Sequence, residues 1–130
     1  MKTYCLIVLL SLSIILTACA PLAGTRADVL DQTLRAYHNT VRWGQLDKIA
    51  TFHKEEETNT LPSDPENIKV SRYVVIDGPH LLDKHNAIQF VEITYYRHDG
   101  ITTRTIRDRQ TWQYQSKRKR WLITSKMPKF

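Results

Sequence analysis

Hydrophobic positions along the chain fall into three regimes. Residues 6–16 form an apolar run broken only by Ser11 and Ser13. After a short stretch holding Pro21 and Gly24, the apolar residues Leu30, Leu34, Tyr37 and Val41 recur at steps of four, three and four, the spacing of one buried helix face. Asp28 stands where an N-cap is expected and Gly44 where the helix should stop. Beyond it, Leu46, Ile49, Ala50 and Phe52 predict a second, shorter helix. Residues 54–67 turn polar, with Glu55-Glu56-Glu57, Asn59, Pro62 and Pro65, and read as a loop. From Ile68 onward the period shifts towards two and β-branched and aromatic residues accumulate, which predicts four strands.

The first strand is expected over 68–77, closed by Gly78-Pro79, and a connection through 80–85 leads to a second over 87–98. Asp99-Gly100 between two alternating runs is a strong hairpin signal. A third strand over 101–115, a turn over 116–119 and a fourth strand over 120–127 complete a meander. A two-residue turn pairs residues whose numbers share a constant sum: His98 with Ile101, Thr94 with Thr105, and Glu92 with Arg107, an opposite-charge pair. Phe90 and Tyr96 share that face. Val91, Ile93, Tyr95, Ile106, Trp112 and Tyr114, together with Arg104 and Asp108, occupy the other, which makes the better core face.

The apolar run acquires a meaning from its flanks. Lys2 before it and small residues after it give the layout of a secretory signal. It ends in Leu16-Thr17-Ala18-Cys19, which resembles the lipobox of bacterial lipoproteins: an aliphatic residue three before a cysteine, then small residues, then the thiol. The resemblance implies that residues 1–18 are a cleaved signal peptide, that the Cys19 thiolate takes up the lipid, that 19–26 is a lipidated tether and that 27–130 is one domain. A membrane-spanning helix wants about 18–25 apolar residues, more than this run supplies. Ala20 rather than Asp follows Cys19, and in a host with two membranes that pattern implies the outer membrane, facing the periplasm. Cys5 leaves with the signal, so the mature chain keeps Cys19 alone and cannot form an internal disulfide.

The domain itself is expected to be α+β, with two N-terminal helices packed on a curved four-stranded antiparallel meander. Leu34-Arg35-Ala36-Tyr37, the following Trp43-Gly44-Gln45-Leu46-Asp47-Lys48-Ile49, and the strand sequences Thr111-Trp112-Gln113-Tyr114 and Lys119-Arg120-Trp121-Leu122-Ile123 carry a further likeness. Together they resemble the nuclear transport factor two-like, or cystatin-like, cone superfamily. That group includes enzymes, transport factors and secretion-system parts, so the resemblance implies a fold and leaves the activity open.

Some members of the group place a carboxylate base and hydroxyl donors in the open end of the cone. Here Asp108, near Arg104 and Tyr95 on the expected core face, is the candidate set: Asp108 to abstract a proton and Tyr95 to donate to an oxyanion. The alternative role of Arg104 and Asp108 is a structural ion pair at the rim. No family catalytic motif carries over residue by residue. The five histidines, His38, His53, His80, His85 and His98, are scattered, and His80, Asp83 and His85 form the one local group with metal-ligand chemistry. Zinc needs three or four convergent ligands, so neither metal nor cofactor is expected.

Charge adds more than any single side chain. The chain carries 19 Lys and Arg against 13 Asp and Glu, net +6. From Arg97 to the end there are ten basic residues against two acids; from Ala20 to Tyr96 there are eight against eleven. Lys117-Arg118-Lys119-Arg120 concentrates the excess at one hairpin tip, with Arg104, Arg107 and Arg109 on the adjoining strand and Lys126 and Lys129 beyond it. Such a tip can simply keep strand edges soluble, or it can meet an anionic partner: a lipid head group, a cell-wall polymer or an acidic protein surface. Export argues against nucleic acid. A tether of under ten residues reaches at most ~30 Å, so the domain stays near the bilayer and its charge can orient it there. The sequence thus describes a membrane-anchored envelope lipoprotein, a non-enzymatic binding or assembly module with a basic hairpin. The second reading is a small-ligand carrier or small enzyme that uses the interior around Asp108.

Overall fold

The computed structural model describes residues 24–54 and 62–130. The apolar run, Cys19, the tether up to residue 23 and Glu55-Glu56-Glu57 lie outside the described residues. The chain is α+β: helix α1 (Arg26–Arg42), a 3-10 helix (Leu46–Phe52), a short 3-10 turn (Pro65–Asn67), and strands β1 (Ile68–Leu81), β2 (Asn86–Arg97), β3 (Thr103–Gln115) and β4 (Arg120–Ile123). The strands form one antiparallel sheet in the order β1-β2-β3-β4.

α1 begins earlier than its apolar stripe suggests. Its N-cap is Thr25, not Asp28; Asp28 is the third helical residue and completes a capping box. The Asp28 amide donates to Thr25 Oγ1 at 3.2 Å and the Thr25 amide donates to Asp28 Oδ2 at 2.8 Å, so two orphan N–H groups of the first turn are satisfied reciprocally. The Thr25 hydroxyl, which also donates to Asp28 Oδ2 at 2.8 Å, and the Thr25 amide together hold the Asp28 carboxyl below its ordinary range. The expected stripe is real: Leu30, Leu34, Tyr37 and Val41 are the buried residues of α1. The second expected helix is present as the 3-10 segment, which buries Leu46 and Ile49.

The β2–β3 ladder keeps one register from Asn86↔Gln113 to Tyr96↔Thr103, including Thr94↔Thr105 and Glu92↔Arg107. It stops short of His98 and Ile101, which belong to the turn. Ala87, Gln89, Val91, Ile93 and Tyr95 of β2 all face the core. β1 differs from expectation: Gly78-Pro79 does not end the strand, which continues to Leu81. Three register shifts against β2, the last spanning Gly78 and Pro79, absorb the break. The first shift lies between Val70 and Arg72. It resets the side-chain alternation, so that Val70 and Tyr73, of opposite parity, are both buried. β4 is shorter than expected and ends at Ile123 because Ser125 Oγ, not a backbone carbonyl, accepts the Thr111 amide at 3.2 Å. The chain then turns inward, burying Met127 and setting Phe130 edge-on to Tyr95 at 5.3 Å.

Tyr37 lies at the centre of the core. Its ring meets Trp112 and Phe52 edge-on at 5.5 Å and 5.3 Å, pairings worth about 0.5–1.5 kcal/mol each beyond area burial.

Candidate functional site

The β3–β4 turn carries the basic tip. Arg118 closes it by donating its amide to Gln115 O at 3.1 Å, and Lys119 sits at φ +50, a left-handed conformation uncommon for a lysine. The segment leaving the 3-10 helix runs beside β4: His53 bridges Ile123 in parallel and the Lys54 amide donates to Ile123 O at 3.2 Å. Between this added edge and the turn lies a hollow of about 810 Å³. Ala50, Thr51, His53 and Lys54 line one side; Gln115, Ser116, Lys117, Arg118, Arg120 and Leu122 line the other.

The lining is rich in cations. Among the described residues it contains Lys54, Lys117, Arg118 and Arg120 and no carboxylate. Lys54 is held in place by its ammonium donating to Gln113 Oε1 at 2.5 Å, and Gln115 Nε2 donates to the same oxygen at 3.2 Å. Ala50 and the buried Leu122 add apolar surface. His53 is 4% exposed, and neither ring nitrogen makes a hydrogen bond among the described residues. Burial lowers its pKa to about 4, against a weaker opposing effect of the Ser125 backbone. It therefore stays neutral at physiological pH. The arrangement can hold an anion and, beside it, an apolar body.

The remaining basic residues named from the sequence are placed apart from the hollow. Arg107 pairs with Glu92 at 3.5 Å on the face opposite the core, and Arg109, opposite Phe90, is exposed on that same face. Lys119 is exposed at the tip beside Lys117.

A second polar group lies on the core face. Gln89 Nε2 donates to Gln110 Oε1 at 2.7 Å, Gln110 Nε2 donates to Asp108 Oδ2 at 2.9 Å, and the Tyr73 hydroxyl lies 3.1 Å from Gln110 Nε2. Gln89 and Gln110 are fully buried. Desolvation raises the Asp108 pKa, against the lowering effect of Gln110. Burial also raises Tyr73 and Tyr37, with Asp108 adding to both. The Tyr37 hydroxyl has no hydrogen-bonding partner among the described residues. Arg104 is exposed opposite the buried Tyr95, and the rim ion pair with Asp108 is not formed. Asp108, Tyr95 and Arg104 thus share a face without a mutual hydrogen bond.

His80, Asp83 and His85 do not converge. His80 Nε2 bonds Asp77 at 2.7 Å; Asp83 accepts from the amides of His85 and Asn86; His85 lies 3.3 Å from Arg26. No group of three or more metal-ligating side chains occurs among the described residues, and no helix among them is long and apolar enough to cross a membrane. The hollow was hidden from sequence reasoning because Lys54 and His53 lie about sixty positions from the turn they face. Comparison with protein-family models, with curated proteins and with solved structures finds no match to this chain.

Proposed function

We propose that the protein is a lipid-anchored module of the bacterial envelope that captures an anionic partner in the hollow between Lys54 and the β3–β4 turn. The observation that carries this reading is the convergence of Lys54, Lys117 and Arg120, from two separate segments of the chain, around an apolar patch. The lipobox-like Leu16-Thr17-Ala18-Cys19 supports attachment through Cys19, and Ala20 supports an outer-membrane position facing the periplasm. The helix, 3-10 helix and four-stranded meander are compatible with the cystatin-like cone, which we propose as the finer fold. The interior around Asp108 supports a ligand carrier or enzyme less well. Gln110 already occupies the Asp108 carboxylate and Phe130 covers Tyr95.

The reading is tested with two probes and two variants. Dodecyl phosphate, an anion with an apolar tail, should bind the full chain in neutral detergent, with affinity falling as salt rises. Dodecanol should not bind. Lys54→Glu with Arg120→Glu should abolish that binding and also abolish crosslinked capture of a partner in intact envelopes, whereas Asp108→Asn should leave both unchanged. Binding that survives both charge reversals, or a loss of function confined to Asp108→Asn, would overturn it.

A further inference from the structure

The start of α1 and both hairpin turns that flank it lie at one end of the sheet. Arg26 Nη1 donates to Lys84 O at 3.4 Å in the β1–β2 turn, and its guanidinium lies 4.9 Å from the centre of the Tyr114 ring near the end of β3. The Trp121 indole, at the start of β4, donates to Arg26 O at 2.9 Å. The start of α1, from which the sequence leads back to Cys19, therefore lies between these two turns. Thr25 stands six positions after Cys19, a reach of about 20 Å. β3 alone, at 13 residues, puts the opposite end of the sheet roughly 40 Å away.

The near end has the composition of a surface that meets lipid. Leu81 and Leu82 are 54% and 65% exposed at the β1–β2 turn. Around them stand Lys84 and, across the sheet, Lys117 and Lys119, all exposed. Asp83, the acid of that turn, accepts from the amides of His85 and Asn86 at 2.7 and 2.9 Å. Solvent-exposed leucines flanked by lysines suit the boundary between acyl chains and anionic head groups.

From this juxtaposition we infer that the β1–β2 and β3–β4 turns form a membrane-docking end, with Leu81 and Leu82 seated in the head-group region of an anionic bilayer and Lys84, Lys117 and Lys119 against its phosphates. The inference rests on the reading of Cys19 as the lipidated residue. Docking holds the domain upright, with Trp43 and Ile101, exposed at the far end, turned away from the bilayer.

The test uses the full, processed chain reconstituted in vesicles, with a single environment-sensitive NBD label on Leu82→Cys or on Ile101→Cys. In vesicles of phosphatidylglycerol and phosphatidylcholine, the label at 82 should shift to the blue and be quenched by lipids brominated on the acyl chain, and the label at 101 should do neither. Lys84→Glu with Lys119→Glu, both outside the hollow, should reverse the shift at 82. Equal behaviour of the two labels, or quenching at 101 alone, would overturn the docking and leave the anchor untouched. The unsubstituted chain is the control for the anchor: labelling at Cys19 would show a free thiol there and remove the basis of both readings. Dodecyl phosphate binding in detergent is independent of this result, so loss of docking and loss of the anionic hollow are told apart.

Discussion

The indole Nε1 of Trp121 donates a 2.9 Å hydrogen bond to the carbonyl oxygen of Arg26, 95 positions earlier in the chain. This bond fastens the first turn of α1 to β4, and so fixes the start of the helix relative to the basic turn. Trp121 itself is buried beside Tyr114, whose ring centre is 5.5 Å away. Trp121→Phe keeps an aromatic ring but removes the donor and part of the volume. It should lower stability by about 1–3 kcal/mol, seen as a lower urea midpoint with an unchanged slope. An unchanged midpoint would mean that the contact contributes nothing to the fold.

How much of this was legible from sequence depends on whether the signal was local. The β2–β3 register followed from Asp99-Gly100 and the alternation on either side of it, because pairing across a short turn is set by neighbours in the chain. The stripe from Leu30 to Val41 was legible for the same reason. Gly78-Pro79 misled, since these residues usually end strands; β1 is an edge strand, and its bulges let the pair sit within it. The basic tip was visible as Lys117-Arg118-Lys119-Arg120, but not the hollow, whose other wall comes from Ala50 to Lys54 through a parallel bridge that no local pattern encodes.

Gly78 is fixed by two independent constraints. Its φ is +96, and a Cβ there would stand 2.9 Å from the Ile88 carbonyl oxygen on the neighbouring strand. Gly78→Ala should destabilise by about 1–3 kcal/mol. Gly44, at φ +70, has its nearest atom, Ile68 O, at an ordinary 3.8 Å, so Gly44→Ala should cost only the left-handed conformation, about 1 kcal/mol. Thermal unfolding of the two variants should rank them in that order; the reverse order would show that the approach to Ile88 is relieved by a small backbone shift.

Gln110 is the hub of the buried polar group, bonded to Gln89, Asp108 and Tyr73. Gln110→Leu leaves those partners in an apolar setting and should cost about 2–4 kcal/mol, the sum of unsatisfied buried groups. Asp108→Asn behaves differently. The raised pKa of Asp108 means that the folded state binds its proton more tightly than the unfolded chain does. Its contribution is therefore favourable at low pH and is lost as pH rises from the ordinary carboxylate range through the raised value. Asparagine retains an acceptor for Gln110 without the charge. The variant should match or exceed the parent in melting temperature at pH 7, and the difference should shrink on acidification below pH 4. A large loss of stability at pH 7 would show that the carboxylate is held by a cation rather than by Gln110.

His53 sets the acid limit of the fold. It is buried against the wall of the basic hollow, without a hydrogen bond at either ring nitrogen among the described residues, and desolvation brings its pKa to about 4. An unfolded histidine takes up a proton near pH 6.5. Between about 6.5 and 4 the unfolded chain thus binds more protons than the folded one at this site, and stability must fall as the solution is acidified through that window. The loss is about 2–3 kcal/mol at most, reduced by whatever water reaches the ring. It is complete below pH 4, where both states are protonated. His53→Phe keeps a flat, buried ring that cannot titrate, so across the same window its stability should fall by less than the parent's. Urea midpoints at pH 7, 6, 5 and 4.5 separate the two outcomes. Parallel declines in parent and variant would assign the acid sensitivity to another group and remove His53 from that role.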